Sequence, residues 1–267
     1  MSRLLLDWLS DPFSEPAYVG LFPGACRLQR GRSTEWQTVE PEDATPVGLA
    51  NALRAILEKP TPSLKKGAGQ TVTLIVSDTV AAIAALPWQE GLRKEGELHS
   101  YAQVVFEKLG IKLDHEWVLH VEFRHYGAMG IAYAFPKTWL ESLLATMDEK
   151  KLKAESILPL SVAAYSRPAV SKGSSLFLLL LQEHTHVAAM VYRHGRLIAR
   201  DVEPVAHSTE DACHRLMLRI KVEHESADTV MGGIAYWSYS LQAPPNALIA
   251  ATFPGAKVAA VGYRDWE

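Results

Sequence analysis

The sequence predicts an α/β protein with mixed sheets (α+β in character), built as two lobes with a small inserted α/β subdomain. The main observation is an order of elements that occurs twice. Three short strand-like runs, a helix and a further strand are predicted in residues 17–76 and again in 174–231. Residues 79–135 lie outside this repeat. The chain has 267 residues, 48% of them hydrophobic, which is enough apolar material for a substantial core.

The first copy of this order is predicted from short alternating runs and a helical apolar stripe. Phe22-Pro23-Gly24 separates its first two strands as a turn. In residues 47–58 an apolar side chain returns every three or four positions, which predicts a helix. The predicted strands are 17–21, 25–30, 35–39 and 71–76.

The intervening residues predict a helix and a hairpin. Residues 97–109 carry an apolar stripe that Gly110 ends, so this is the clearest helix of the chain. Two alternating runs around Tyr126-Gly127 predict a hairpin, whereas strand and helix both remain open for 78–88. A helix that Pro136 opens, a strand at 154–158 and a short helix at 160–165 are predicted next.

The second copy repeats the order with a longer helix. His194-Gly195 suits a turn that needs positive φ, and Ser208 or Thr209 suits the N-cap of a helix over 208–222. A strand at 228–231 is predicted to end in Gly232-Gly233, with a loop over 236–245 after it. The other predicted strands are 174–181, 185–192, 197–202 and 257–261.

Composition excludes several classes of function. The net charge of −3 gives no field that would attract nucleic acid or anionic lipid. No apolar run approaches the about 20 residues of a bilayer span, and the N-terminus lacks the apolar core of a signal peptide. Two cysteines cannot form a disulfide framework. We therefore expect a cytoplasmic protein with no direct membrane insertion.

No motif identifies a reaction. The sequence contains no Walker loop, nucleophile elbow, H-E-x-x-H or G-x-G-x-x-G. His184 and His186 share one face of a predicted strand, but without further ligands nearby we expect a solvent-facing turn rather than a metal site. Cys213 is expected in the core, since His214 points about 100° away from it on a helix.

The order of elements resembles the actin-like ATPase superfamily, whose lobes are ribonuclease H-like. Within it the chain is similar to the cytoplasmic PilM and GspL proteins of type IV pilus and type II secretion platforms. The resemblance implies a first lobe of 1–78 plus 136–168, an inserted subdomain of 79–135 and a second lobe of 169–267. It is carried by VTLIVSDTVAAIAALPW (within 71–88), ELHSYAQVVFEKLG (97–110), AYAFPKTWLESLLATM (132–147), SILPLSVAAYSRPA (156–169) and SLFLLLLQEHTHVAAMVYRHGRLIAR (175–200).

The residues with which this family binds nucleotide carry over poorly. Gly20 matches the first phosphate hairpin, but the acidic residue expected there is absent. In the second hairpin only Thr185 is comparable, and the glycines are missing. Gly232 and Gly233 match the short turn on the adenosine side. We therefore expect no cofactor and no ATP hydrolysis, with weak binding of ATP and magnesium left open.

By the same resemblance, an N-terminal peptide of an inner-membrane partner would lie in a groove beside the insert. Trp88, Tyr101 and Phe106 belong to the insert and are the candidates for binding it. Three tryptophans near predicted loops, Trp88, Trp237 and Trp266, also favour a partner-binding protein. The expected partner is a single-span platform protein, which would place the chain on the cytoplasmic side of the inner membrane. A homo-oligomer is left open.

Two other functions stay open. One is an active nucleotide-binding ATPase of the same fold, in which backbone groups replace the missing acids. The other is an unrelated α/β enzyme whose site is assembled from residues distant in sequence.

Overall fold

The structure, a computed structural model, describes residues 17–30, 36–59, 71–92, 94–165, 176–226, 229–240 and 242–261. The chain divides into two compact units, Met1–Ser77 with Lys137–Leu158, and Asp78–Pro136 with Pro159–Glu267. Compactness thus groups the inserted module with the second unit, and the three-segment division stays a prediction.

The first unit is a five-stranded mixed sheet with two helices. The helices are α1 (Pro46–Glu58) and α3 (Lys137–Glu149). Thr45 caps α1 by accepting a hydrogen bond from the Gly48 amide at 3.1 Å. Trp139 Nε1 of α3 donates to the Pro46 carbonyl at 2.7 Å, which ties the two helices together. The strands are β1 (Ala17–Phe22), β2 (Ala25–Arg30), β3 (Gln37–Val39), β4 (Thr71–Val76) and β8 (Lys153–Pro159), in the sheet order β3-β2-β1-β4-β8.

The second unit contains another five-stranded sheet and a long amphipathic helix, α5 (Thr209–His224). Ser208 caps α5 by accepting from the Asp211 amide at 3.0 Å. Two short helices, α4 (Leu160–Tyr165) and α6 (Asn246–Thr252), belong to the same unit. The strands are β9 (Leu176–Gln182), β10 (His186–Arg193), β11 (Arg196–Pro204), β12 (Met231–Ser238) and β13 (Lys257–Ala260), in the order β11-β10-β9-β12-β13.

The two large sheets share one topology. In each, three antiparallel strands form a meander, and its first strand pairs in parallel with the strand that follows the helix, β1 with β4 and β9 with β12. Such a parallel pair needs a crossover, which the helix between the two strands supplies. This confirms the repeated order of elements.

The inserted module is a three-stranded antiparallel sheet covered by one helix. Its strands are β5 (Ala82–Leu86), β6 (Trp117–Glu122) and β7 (Gly130–Pro136), in the order β5-β7-β6, and its helix is α2 (Glu95–Lys108). Alanines of β5 and β7 leave room for Phe106 of α2, which is fully buried against them. The segment whose state the sequence left open is thus a turn at 78–80 followed by a strand.

The predicted end of β12 is wrong. The strand runs over Met231–Ser238, so Gly232 and Gly233 lie within its first three residues, and the predicted loop begins later. Gly233 pairs between β9 and β13, and a Cβ there would lie 3.2 Å from the Phe177 ring. The glycine therefore allows a close cross-strand approach, which local sequence does not distinguish from a turn.

The positions of the cysteines and of two tryptophans can be compared with the predictions. Cys213 is buried, as expected for a core residue, and Cys26 is buried as well; burial raises the pKa of each thiol to about 12. Trp237 is fully buried in β12 rather than beside a loop. Trp266 lies outside the described residues. None of the described helices combines the length and the hydropathy needed to span a bilayer.

Candidate functional site

A buried polar cluster lies in the second unit, where β9 turns into β10. It consists of Asp78, Ser161, Glu183, His186 and Arg200. These side chains come from the turn after β4, the start of α4, the β9–β10 connection and the middle of β11. Residues more than 100 positions apart therefore meet here, in surroundings that exclude most water.

Asp78 is the centre of this cluster. One oxygen of its carboxylate accepts the Ser161 amide at 2.9 Å, and the other accepts a short hydrogen bond from the Ser161 hydroxyl. Arg200 donates Nη2 to Asp78 at 3.1 Å and Nε to the Ser161 hydroxyl at 3.3 Å. The buried negative charge is thus compensated by one guanidinium and by hydrogen bonds, which burial of a carboxylate requires.

Glu183 and His186 complete the cluster. A Glu183 carboxylate oxygen accepts the Asp78 amide at 2.8 Å and lies 3.5 Å from His186 Nε2. Burial lowers the pKa of His186; the Asp78 carboxylate opposes this shift and the Arg200 guanidinium adds to it. His186 is therefore held in its neutral form at neutral pH.

The cluster includes three of the residue types that bind metals. Ligand atoms of Asp78, Glu183 and His186 lie within 4.8 Å of one another. The Asp78 oxygens, however, already accept from Ser161 and Arg200, so a metal ion would have to displace a guanidinium that already compensates the Asp78 charge. The geometry thus favours an internal ion pair over a metal site.

The burial of His186 corrects the expectation of a solvent-facing histidine pair. Only His184 is exposed, and its Nδ1 lies 3.1 Å from the Tyr239 hydroxyl. The sequence did hold a signal for the cluster: Asp78 and Glu183 each follow an apolar run after a single polar residue. A carboxylate in such a position needs a buried partner.

A groove of about 640 Å³ lies on the inserted module, between β5 and α2. Tyr101 lines it and donates its hydroxyl to the Pro87 carbonyl at 2.9 Å, which holds α2 against the end of β5. β5 is an edge strand, since only β7 pairs with it among the described strands. The apolar walls are Ile83, Ala84, Ala85, Val105, Leu109 and Ile111. We call this cavity the insert groove.

Of the three residues expected to bind a partner, only Tyr101 lines the insert groove. Phe106 cannot contact a partner as expected, because its exposed fraction is 0% and its side chain packs inside the module. Trp88 lies in a separate aromatic cluster, with its ring centroid 5.4 Å from that of Phe123 and 4.8 Å from that of Tyr126.

This architecture is similar to that of known proteins in structure, but not in sequence. No protein-family model and no curated protein sequence matches the chain. Among solved structures, a chain of the PilM–PilN type IV pilus biogenesis complex superposes with a TM-score of 0.62 at 12% identity, covering 92% of this chain and 88% of that one. A Bacteroides thetaiotaomicron protein with an actin-like ATPase fold and unknown function gives 0.59 at 10% identity, covering 92% and 91%.

The fold is that of the actin-like ATPases. A third solved structure agrees: the cytoplasmic domain of EpsL, an inner membrane component of the Vibrio cholerae type II secretion system. It gives a TM-score of 0.51 at 12% identity, covering 95% of this chain and 88% of that one. The similarity to PilM- and GspL-type proteins inferred from the sequence is thus found again in the structure.

Within the second unit, two of the residues expected at the nucleotide site lie far apart. Thr185 lies exposed in the β9–β10 turn, whereas Gly233 pairs with Phe177 near the other end of β9. Phe177 precedes Gln182 by five residues, a rise of about 17 Å along a strand. Gly232 adjoins Gly233 in the same strand. Gly20 lies in the first unit, within β1 rather than in its turn, paired with Arg27 and Ile75.

Removal of Arg200 should destabilise the second unit strongly. In Arg200→Met the Asp78 carboxylate stays buried without its counterion, so we expect the free energy of unfolding to fall by about 3–5 kcal/mol. Urea unfolding measures this change. Arg215→Met is the matched control, because Arg215 is half-exposed where it pairs with Glu203. It should lower the free energy of unfolding by less than about 1 kcal/mol.

The double variant Asp78→Asn/Arg200→Met should lose less free energy of unfolding than the sum of the losses in its two single variants. Equal effects of the two arginine variants would contradict this assignment.

Stability should fall on mild acidification because of His186. The folded protein lowers the pKa of this side chain below the ordinary 6.5, so the unfolded chain binds the proton more tightly. The contribution is therefore complete above that value and is lost as the pH falls below it towards the lower pKa of the folded state. His186→Gln should flatten this part of the profile in urea unfolding at several pH values. His115→Gln, at an exposed histidine, should leave the slope as it is. An unchanged slope in His186→Gln would show that the cluster is not responsible.

Proposed function

We propose that the protein is a non-enzymatic scaffold of a bacterial pilus or type II secretion assembly platform. In this proposal it lies on the cytoplasmic side and binds a cytoplasmic segment of a single-span inner-membrane partner. The fold likeness to a chain of the PilM–PilN complex and to the cytoplasmic domain of EpsL supports this role. It would be peripheral to the membrane, held there by the partner.

The observation that carries the proposal is the β9–β10 connection. Triphosphate binding on a hairpin needs free backbone amides and a cation held by carboxylates. Here the connection is Glu183-His184-Thr185 without a glycine, and Glu183 itself accepts the Asp78 amide at 2.8 Å. Its carboxylate would repel a phosphate. Arg200 already neutralises Asp78. These residues do not fit magnesium and phosphate.

The β1–β2 hairpin points the same way. Its turn is Pro23-Gly24, flanked by the paired residues Phe22 and Ala25. Proline has no amide hydrogen, and the turn has no carboxylate that could hold a cation. Taken by itself, this hairpin also lacks the groups that a phosphate site needs.

The insert groove is our candidate for the partner segment. The outer edge of β5 offers backbone donors and acceptors that no described strand uses, next to an apolar wall from α2. An extended peptide could add to this edge as a fourth strand, with alternate side chains in the groove. Leu109 is 58% exposed at the end of that wall, as expected for a surface that a partner covers.

Nucleotide binding should be absent or very weak. Calorimetric titration with ATP and magnesium is expected to give no binding, or a dissociation constant weaker than about 1 mM, because neither hairpin combines a glycine-rich turn with a free carboxylate for the cation. Titration with magnesium alone is the control for heats of dilution and ion binding. Micromolar binding of ATP, or its turnover, would favour the alternative of an active ATPase.

Partner binding should depend on the insert groove. The probe is the N-terminal cytoplasmic segment of a single-span inner-membrane protein encoded beside this chain, co-expressed with it as a tagged fusion. Leu109→Glu should weaken its capture by about tenfold or more, because a charge replaces apolar contact area. Leu144→Glu is the matched control at another exposed helical leucine, 42% exposed, and should capture normally. Failure of every such segment to bind would overturn the scaffold proposal, whereas binding insensitive to Leu109→Glu would overturn only the groove.

A further inference from the structure

A second cavity lies where the β10–β11 hairpin meets the inserted module. Its volume is about 410 Å³. His194 and Gly195, with φ of 53° and 72°, form the tight turn of this hairpin. We call the cavity the basic pocket; its lining includes Arg193, His194, Arg196, Leu197, Trp88 and Met129.

The basic pocket carries positive charge without counterions. Arg193, His194 and Arg196 line it, no carboxylate does, and none of the three forms an ion pair within the described residues. Two other arginines of this unit do have a carboxylate partner: Arg200 lies 3.1 Å from Asp78, and Arg219 lies 2.9 Å from Glu203. The unpaired guanidinium groups therefore mark a place where an external anion would be stabilised.

Arg193 gives independent support. Its Nε is shielded from solvent and has no acceptor among the parts of the chain that the structure describes. A buried donor without a partner costs free energy, so such groups are rare unless something else satisfies them. A carboxylate that entered the pocket could accept from this Nε and from the adjacent Nη in the bidentate geometry that arginine favours.

The rest of the lining is apolar and aromatic. Leu197 is buried in the floor, and Met129 and Trp88 add further apolar surface. Trp88 packs against Tyr126, which is 73% exposed. A small inorganic anion would leave this surface unused, and two arginines on a chain of net charge −3 are a weak basis for nucleic acid. The lining fits an acidic side chain next to an apolar one.

The basic pocket adjoins the insert groove. Pro87 lines both cavities. An extended segment that pairs with β5 and passes Pro87 would bring its next residues to Arg193 and Arg196. We propose that the basic pocket binds an acidic side chain and a neighbouring apolar side chain of the same extended partner segment that occupies the insert groove. The inference rests on the proposed function for the source of that segment.

The test selects peptides from a random phage-displayed library on the full-length protein. We expect the selected peptides to share Asp or Glu next to an apolar residue. By fluorescence anisotropy, Arg193→Gln/Arg196→Gln should weaken the best peptide by about tenfold or more, and replacing its acid by the amide should weaken it similarly. The two changes should not add, since each removes the same contact. Arg54→Gln, at an exposed arginine of α1, is the matched control and should bind normally.

Several results would overturn the proposal for the basic pocket. Selection could yield peptides without acidic residues, or no peptide at all. The double variant could bind the peptide as tightly as the unchanged protein, or inorganic phosphate or a single-stranded oligo(dT) could displace the peptide. Arg196→Gln alone, at an exposed position, replaces the double variant if that variant fails to fold. Partner capture separates the two proposals. Capture that Arg193→Gln/Arg196→Gln leaves intact would overturn the pocket but not the scaffold. Acid-dependent peptide binding with no capture of any platform segment would overturn the scaffold alone.

Discussion

Asp78, with its buried carboxylate, joins four separate segments of the second unit through direct hydrogen bonds. Its position after β4, at the start of the inserted module, brings it against α4, the β9–β10 connection and β11. Because a buried charge must be compensated, Ser161 and Arg200 are fixed in place by it. Glu183 of the β9–β10 connection in turn accepts a hydrogen bond from the Asp78 amide, so its carboxylate is already engaged within the protein. The polar centre thus connects four segments of the second unit through internal hydrogen bonds and one ion pair.

The sheet topology of this fold and the residues in its turns are independent of one another. The repeated sheet topology requires only two meanders with crossover helices, and it makes no demand on the residues in the turns. Those turns are therefore free to lose amides and glycines without loss of the fold. In the proposed function, the surface of the inserted module, with its edge strand β5 and its apolar wall, is the part that recognises the partner segment.

The element order of this chain was accessible from local patterns. Alternation in β1 and β2, and the apolar stripes of α2 and α5, follow from the periods of strand and helix, so their positions were predicted within a few residues. The site could be predicted much less well from the sequence. His186 was expected in solvent, because the alternation of apolar and polar residues indicates which face of a strand a residue lies on. It does not indicate whether another element covers that face. Gly233 was assigned to a turn because glycine permits both a turn and a close approach of the Phe177 ring.

The sequence by itself determined the repeated order of elements and the inserted segment between its two copies, because each depends on residues close together in the chain. Only the tertiary structure decided that Asp78 pairs with Arg200 across 122 positions, that Phe106 is interior and that Arg193 and Arg196 share a pocket with Trp88. The physical reason is that burial and charge compensation depend on which segments pack together. The packing of apolar surface across the whole chain determines which segments meet, and the local periodicity of apolar residues does not predict it.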